Sequence, residues 1–308
     1  MKDGKNNIYE LIIIGAGPAG MTAAVYASRK RMNFLLISRD IGGQAAWSGD
    51  IENYTGYQFI TGPELTLKFQ EHINAFGIEV LMPEAAREVK KKGNLIAIVT
   101  DKAEYQAKSV IIATGKRPRE LGIEGEKEFK NKGLTYCATC DGPLFKDKQV
   151  AVVGGGNSAL DAVLQLMKIS PKVYLLSRGA RLSADKVMVK KAQDSPVVEI
   201  LYNTELVKVF GDIFVKGVEV KQEGRRFSLD VEGVFVEIGL IPNSECAVST
   251  SKNEKGEIIV DTYNRTNAEG IFAAGDVSSV PEKQIIIACG EGSKACLSAF
   301  RYLSTHNI

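Results

Sequence analysis

The sequence predicts an α/β fold in which one strand–loop–helix–strand unit is built twice. Two observations carry that expectation. An apolar strand, Leu11 to Ile14, runs into Gly15-Ala16-Gly17-Pro18-Ala19-Gly20 and then into an alanine-rich helix from about Ala19 to Arg29. A second apolar strand, Val150 to Val153, runs into Gly154-Gly155-Gly156-Asn157-Ser158-Ala159 and a helix to about Met167. In each case another short apolar strand closes the unit, Phe34 to Ile37 in the first and Val173 to Leu176 in the second.

The glycines of the first loop have separate jobs. Gly15 permits a tight turn, Gly17 lets the backbone approach a pyrophosphate, and Gly20 lets helix and strand pack closely. The helix start then offers free N–H groups and the positive end of its dipole to phosphates. The second copy reads G-x-G-x-x-A, a variant of the same dinucleotide fingerprint. Taken alone, such a loop is often only flexible. Both copies here have the strand before and the helix after that the fingerprint requires. Two dinucleotide sites in one chain imply a relay between redox carriers. Other pieces also repeat: SVIIATGKRP (109–118) parallels GVFVEIGLIPN (233–243), each an apolar strand ending in glycine, Gly115 or Gly239. A third such strand, Gly270 to Ala274, ends in Gly275-Asp276.

Bulk properties narrow the function. A chain of 308 residues with 44% hydrophobic content can bury two cores. Its formal net charge is +2, and its densest basic stretch, Lys90-Lys91-Lys92 before Gly93-Asn94, reads as a solvated hairpin tip. A nucleic-acid partner is therefore not expected. The apolar run 11–14 is too short for a signal core or a membrane span, and no other stretch has that length. Five cysteines, an odd and sparse set, argue against a secreted disulfide framework and for a cytoplasmic protein.

Two of those cysteines form TYCATCDGP, residues 135–143. A C-x-x-C can be half a zinc site, a structural clasp or an electron-carrying dithiol. A zinc site needs further ligands, and only Cys246, Cys289, Cys296, His72 and His306 remain. Cys289 and Cys296 lie seven apart in a helical pattern, as small buried side chains would. No metal is expected.

At this point the sequence resembles the low-molecular-weight thioredoxin reductases. GAGPAG, GGQ (42–44), IENYTG (51–56), IIATG (111–115), CATCD (137–141), GGGNSA (154–159), EIGLIPN (237–243) and GIFAAGDV (270–277) occur in that family's order and spacing. TYC-x-x-CDGPLFK and KQIIIACGEGSKACLSAF are also similar to the flavoprotein subunit of alkyl hydroperoxide reductase. The resemblance spans about residues 8 to 303. It implies two Rossmann-like, three-layer ββα domains, the second inserted into the first. An FAD-binding domain would comprise 1–115 and 245–308, and an NAD(P)-type domain with the dithiol would comprise 116–244. A long helix near 290–303 would belong to the first. Homodimers whose two domains rotate, and a thioredoxin-like protein as substrate, are implied as well.

Residue by residue, the resemblance implies that Gly15, Gly17, Pro18, Ala19 and Gly20 hold the FAD pyrophosphate. Gly43, Gln44, Asn53 and Thr55 would lie near the flavin. Ala113, Thr114 and Gly115 would border the adenosine and ribityl parts, and Gly275 and Asp276 the ribityl or pyrophosphate region. Lys283, Gln284 and Ile285 would approach the isoalloxazine. Where an acid usually takes the adenosine ribose the chain has Ser38-Arg39, leaving Asp40 or a hydroxyl to substitute. Cys140 would be the thiol facing the flavin, Cys137 the thiol that attacks the substrate disulfide, and Asp141 the acid–base group.

The electron donor is less defined. Gly154, Gly156, Asn157, Ser158 and Ala159 would cradle its pyrophosphate. NADPH-using members carry H-R-R-x-x-x-R after the second strand of the inserted domain, and arginines there clamp a 2′-phosphate. This chain reads SRGARLSAD from 177, in which only Arg178 matches and Arg181 is out of register. NADH users place an acid at 177, and this chain has Ser177. The segment matches neither pattern, so NADPH, NADH, ferredoxin and a second FAD all stay open. Trp47, three residues past that GGQ, has two readings: a loop residue, or a stacking partner for a second flavin.

Overall fold

A computed structural model of the chain describes residues 8–48 and 50–306, except for the side chains of Asp50, Cys140 and His306. It divides into two compact units, one running to Arg117 and resuming at Ile241, the other Pro118–Leu240.

In the first unit the strands lie in the order Val80–Leu81, Phe34–Ile41, Ile8–Ala16, Glu104–Ile112. The C-terminal half of Glu104–Ile112 pairs in parallel with Ile271–Ala273. Its N-terminal half pairs with Leu95–Thr100, which continues antiparallel to Ala86–Lys92. A parallel sheet covered on both faces must be apolar on both, which is why the LIII run does not alternate. Leu11 and Ile13 face one core with helix residues Met21, Ala24 and Ala299. Ile12 and Ile14 face the other, with Val89, Ile98, Ala247 and Ile258. Each of the four is fully or almost fully buried, worth about 1.5–3 kcal/mol apiece. An aspartate at Ile13 would leave an unpaired charge in that core.

The second unit repeats the plan. Its parallel sheet runs Leu134–Thr135, Gly233–Val236, Val150–Val153, Val173–Leu176, Val198–Leu201. Val150, Val152 and Phe235 meet Leu160 and Val163 of helix Asn157–Leu166 on one face. Ala151, Val153 and Val234 meet Leu206, Val218 and Val220 of an antiparallel three-stranded sheet on the other.

Several expectations shift in detail. The first strand is longer than its apolar centre, and the last helix spans Ile285–His306, starting earlier than 290. Lys90, Lys91 and Lys92 lie on the strand leading to the tip; Lys91 and Lys92 pair with Glu269 and Glu104. Residues 116–117 and 241–244, expected in the inserted domain, belong to the first unit. Asn243 explains this. Its backbone N–H donates to the Gly115 carbonyl (2.9 Å), its amide donates to the Thr114 carbonyl (2.8 Å), and its side-chain oxygen accepts from Arg117 (2.7 Å). At the start of helix Gly62–Ala75, Thr61 and Glu64 close the N-terminus as a reciprocal capping box.

Candidate functional site

In the first unit the expected residues gather at the carboxyl ends of the parallel strands, where such sheets bind ligands. Gly15 has φ +105, and a Cβ there would sit 2.4 Å from the Ala113 carbonyl oxygen. A Cβ on Gly20 would fall 1.7 Å from the Gly15 oxygen. At Gly17 the nearest atom to a Cβ would be the Gly42 oxygen at 3.9 Å, so here the loop faces open space. Gly43 lies across from it, its would-be Cβ 3.6 Å from the Gly17 Cα. Helix Pro18–Arg29, which opens with Pro18 and buried Ala19, has no side-chain cap and no acid in its first turn. Its first amides are thus uncommitted to side chains.

Around this loop, Gln44 donates to the Asp276 carboxylate (3.2 Å) and Asn53 donates to Gln284 (3.0 Å). Asp276 follows Gly275, whose φ is +72. Burial pushes the Asp276 carboxyl up, against the pull of Lys283, Lys116 and the Gln44 amide. Lys283 donates to the Ser278 carbonyl (2.6 Å) and pairs with Glu257 (3.2 Å), and Ile285 opens the last helix. The Thr114 hydroxyl donates to the Asn243 carbonyl, next to Gly115 at φ +64. Thr55 is exposed in a turn. Ser38, not Asp40, is the buried group at the second strand's end. Its hydroxyl accepts the Ala16 N–H (2.9 Å) and donates to the Asp40 carbonyl (2.6 Å). A groove lined by Cα hydrogens, free amides and a partly buried carboxyl fits a dinucleotide with a diphosphate and a ribityl chain, as FAD has. Trp47 ends the short turn Gly43–Trp47 and is 53% exposed.

The second unit holds a comparable loop. Gly154 has φ +150, and a Cβ there would meet the Glu237 oxygen at 2.3 Å. Gly156 precedes helix Asn157–Leu166, which likewise lacks a side-chain cap. Ser158 is exposed and Ala159 fully buried against the sheet. Segment 177–185 folds over this loop. The Ser183 N–H donates to the Gly155 carbonyl (2.7 Å), and the Asp185 N–H donates to the Asn157 side-chain oxygen (2.8 Å). Arg178 is exposed, while Ser177 is buried with its hydroxyl turned to the Gly179 carbonyl (3.4 Å). The diphosphate end fits a dinucleotide; after strand Val173–Leu176 the chain presents exposed Arg178 and Arg181, and position 177 is a serine instead of an acid.

The dithiol segment lies in the same unit. Cys137 is disulfide-bonded, whereas Cys246, Cys289 and Cys296 are free and buried. The Cys140 side chain lies outside the described residues, although its backbone is part of the short helix Ala138–Asp141. Burial pushes the Cys246 thiol up to about 11 and the Cys296 thiol up to about 12, so neither forms thiolate near neutrality. Among the described residues no group of three or more His, Cys, Asp and Glu could hold a metal, and no helix is long and apolar enough to cross a membrane.

Two residues near the dithiol escaped the sequence reading. The Thr135 hydroxyl donates a short hydrogen bond to the Asp141 carboxylate and accepts the Cys137 N–H (3.2 Å). Thr135 therefore ties the acid–base candidate to the turn holding Cys137. Glu237, from the EIGLIPN phrase, accepts the Ala138 N–H (3.3 Å). Burial pushes its carboxyl up to about 7, opposed by the Ala138 amide and aided by Asp161. A polar residue closing an apolar strand was the only available signal for it.

Residues 9–292 match the family described as pyridine nucleotide-disulphide oxidoreductase. Among curated relatives, an alkyl hydroperoxide reductase subunit of Escherichia coli K12 is 40% identical over 307 residues, covering 97% of this chain and 59% of its own. The NADH dehydrogenase of Bacillus subtilis 168 is 38% identical over 298 residues, covering 96% and 58%. The chain thus spans under three-fifths of the length of these relatives. The thioredoxin reductase of Lactococcus lactis, in its FR conformation, matches in structure with a TM-score of 0.81 at 35% identity, covering 96% of this chain and 99% of that one.

Proposed function

This chain belongs to the pyridine nucleotide-disulphide oxidoreductase family; on that premise we propose that it is a flavin-dependent oxidoreductase that reduces a protein disulfide of thioredoxin type. The observation carrying this reading is the Cys137 disulfide, set in a turn whose Asp141 is held by Thr135, while the three other described cysteines are free, buried and inert. FAD, when bound in the first unit, supplies a two-electron carrier between donor and dithiol. Gly15, Gly17 and the first turn of helix Pro18–Arg29 would bind its diphosphate; Asp276 would bind a hydroxyl near it. Asn53, Gln284 and Lys283 would border its ring system. Once reduced, Cys137 would attack the substrate disulfide as thiolate, forming a mixed disulfide that Cys140 resolves. Asp141 would move the proton between the thiols, with Thr135 fixing its carboxylate. A homodimer in the cytoplasm is part of the same reading.

Two observations bear on the donor. The family uses nicotinamides, and the relative named NADH dehydrogenase favours NADH. The 177–185 segment, with Ser177 turned inward and Arg178 the one arginine in the clamp register, favours instead a donor that needs no adenosine-ribose clamp: ferredoxin or a second flavin. Anaerobic mixing with NADH, NADPH or reduced ferredoxin, followed by flavin bleaching, separates them. Rapid bleaching by micromolar NADH or NADPH would rule out the second reading, and one FAD per chain would rule out a second flavin.

A further inference from the structure

Glu237 stands where three elements of the second unit converge. It follows strand Gly233–Val236, and its N–H donates to the Val153 carbonyl just before the glycine loop (2.8 Å). Its carboxyl reaches the Ala138 N–H, one residue from Cys137. We propose that Glu237 is a proton-linked positioning residue of the dithiol, whose carboxyl takes up a proton when the Cys137 disulfide is reduced. This rests on the dithiol reading above.

The surroundings set the sign. From helix Asn157–Leu166, Asp161 adds a like charge that favours the protonated form. From the dithiol turn, Cys137 and Asp141 are the titratable groups among the described side chains, with Cys140 the second thiol of the same turn, and Asp141 is engaged by Thr135. Strands Val150–Val153 and Gly233–Val236 contribute only apolar or glycine side chains. No described cation is placed to neutralise Glu237. With Cys137 oxidised, the carboxyl already holds its proton up to about 7. Reduction breaks the S–S bond: two electrons and one proton give a thiolate and a thiol. The new thiolate repels the Glu237 carboxylate, which accepts a further proton from solvent. Coupling is reciprocal: while Glu237 is charged, it makes thiolate formation harder and the disulfide harder to reduce.

The test equilibrates the flavin-loaded protein with dithiothreitol redox buffers from pH 6 to 9. The dithiothreitol thiols supply the electron pair and close to a cyclic disulfide. Free thiols are trapped, and the peptide containing Cys137 is weighed by mass spectrometry. Glu237→Gln keeps the shape and the acceptor for the Ala138 N–H but cannot ionise. The two proteins should agree at pH 6. At pH 8 the variant should be reduced more readily, by about tenfold for each pK unit of coupling. Infrared difference spectra of the unaltered protein near pH 7.5 should show a protonated-carboxyl band gained on reduction. Superimposable pH profiles, or no such band if the variant fails to fold, would overturn the proposal. A disulfide that no buffer reduces would overturn it together with the reductase reading, so the two failures are distinguishable.

Discussion

Gly17 and Gly20 share one loop but not one role. A methyl at Gly20 would drive into the Gly15 oxygen, whereas at Gly17 it would project into the open groove. Gly20→Ala should therefore destabilise folding by about 3 kcal/mol, measured by urea unfolding. Gly17→Ala should fold normally and purify without its yellow colour; a fully flavin-loaded Gly17→Ala would contradict the cradle. The fingerprint made both glycines visible because its spacing encodes a contact between neighbours in sequence. Thr135 was hidden because no motif names its hydroxyl, although its partners Asp141 and Cys137 are close in sequence; Glu237 was hidden because its partner is fixed by tertiary placement. Glu237 reaches Ala138 across 99 positions, and nothing local announces that. Thr135→Val should leave the fold intact and lower disulfide turnover about 10²-fold, the lower end of what general acid–base groups supply. An unchanged pH–rate profile in that variant would show that Asp141 needs no such support.

Among the elements, the parallel strands were legible because they are buried on both faces and read as unbroken apolar runs. Helix Gly62–Ala75 was not. Its buried side, Leu65, Thr66 and Ile73, is sparse, and its start depends on the Thr61–Glu64 box. Thr61→Ala should cost about 1 kcal/mol, visible as a lower urea midpoint. The segment around Glu257 was illegible for a different reason: its ions come from distant parts of the chain. Lys116 (2.9 Å) and Lys283 (3.2 Å) both pair with it. Burial alone would raise the Glu257 carboxyl, but bonds from Lys116, Asn253 and Lys283 bring it down to about 2. A carboxyl depressed in the folded state stabilises above its unfolded value, about 4.3, and that contribution is lost as pH falls through 2. Glu257→Gln should thus lose about 3 kcal/mol near neutrality and much less near pH 2, when thermal midpoints are compared across that range.

For the whole molecule, the repeat of one plan in two units was readable from the two glycine loops. The units' edges were not, because Asn243 and Arg117 tie the returning chain to the first unit by bonds no motif encodes. Whole-chain stability also carries the mark of Glu237. Its folded carboxyl sits above its unfolded value, so the folded state binds the extra proton and stability falls as pH rises from about 4.5 to 7. Glu237→Gln should therefore raise the melting temperature at pH 8 and leave it unchanged at pH 4.

The claim that joins both units is that electrons leave through the Cys137 dithiol. The direct measurement is a single turnover without any natural donor: the flavin-loaded protein is photoreduced anaerobically and mixed with an oxidised thioredoxin while flavin absorbance is followed. The unaltered protein should reoxidise rapidly and release thioredoxin dithiol, and Cys140→Ser should remain reduced. Equal reoxidation of the Cys140→Ser flavin, with thioredoxin dithiol formed, would contradict the account.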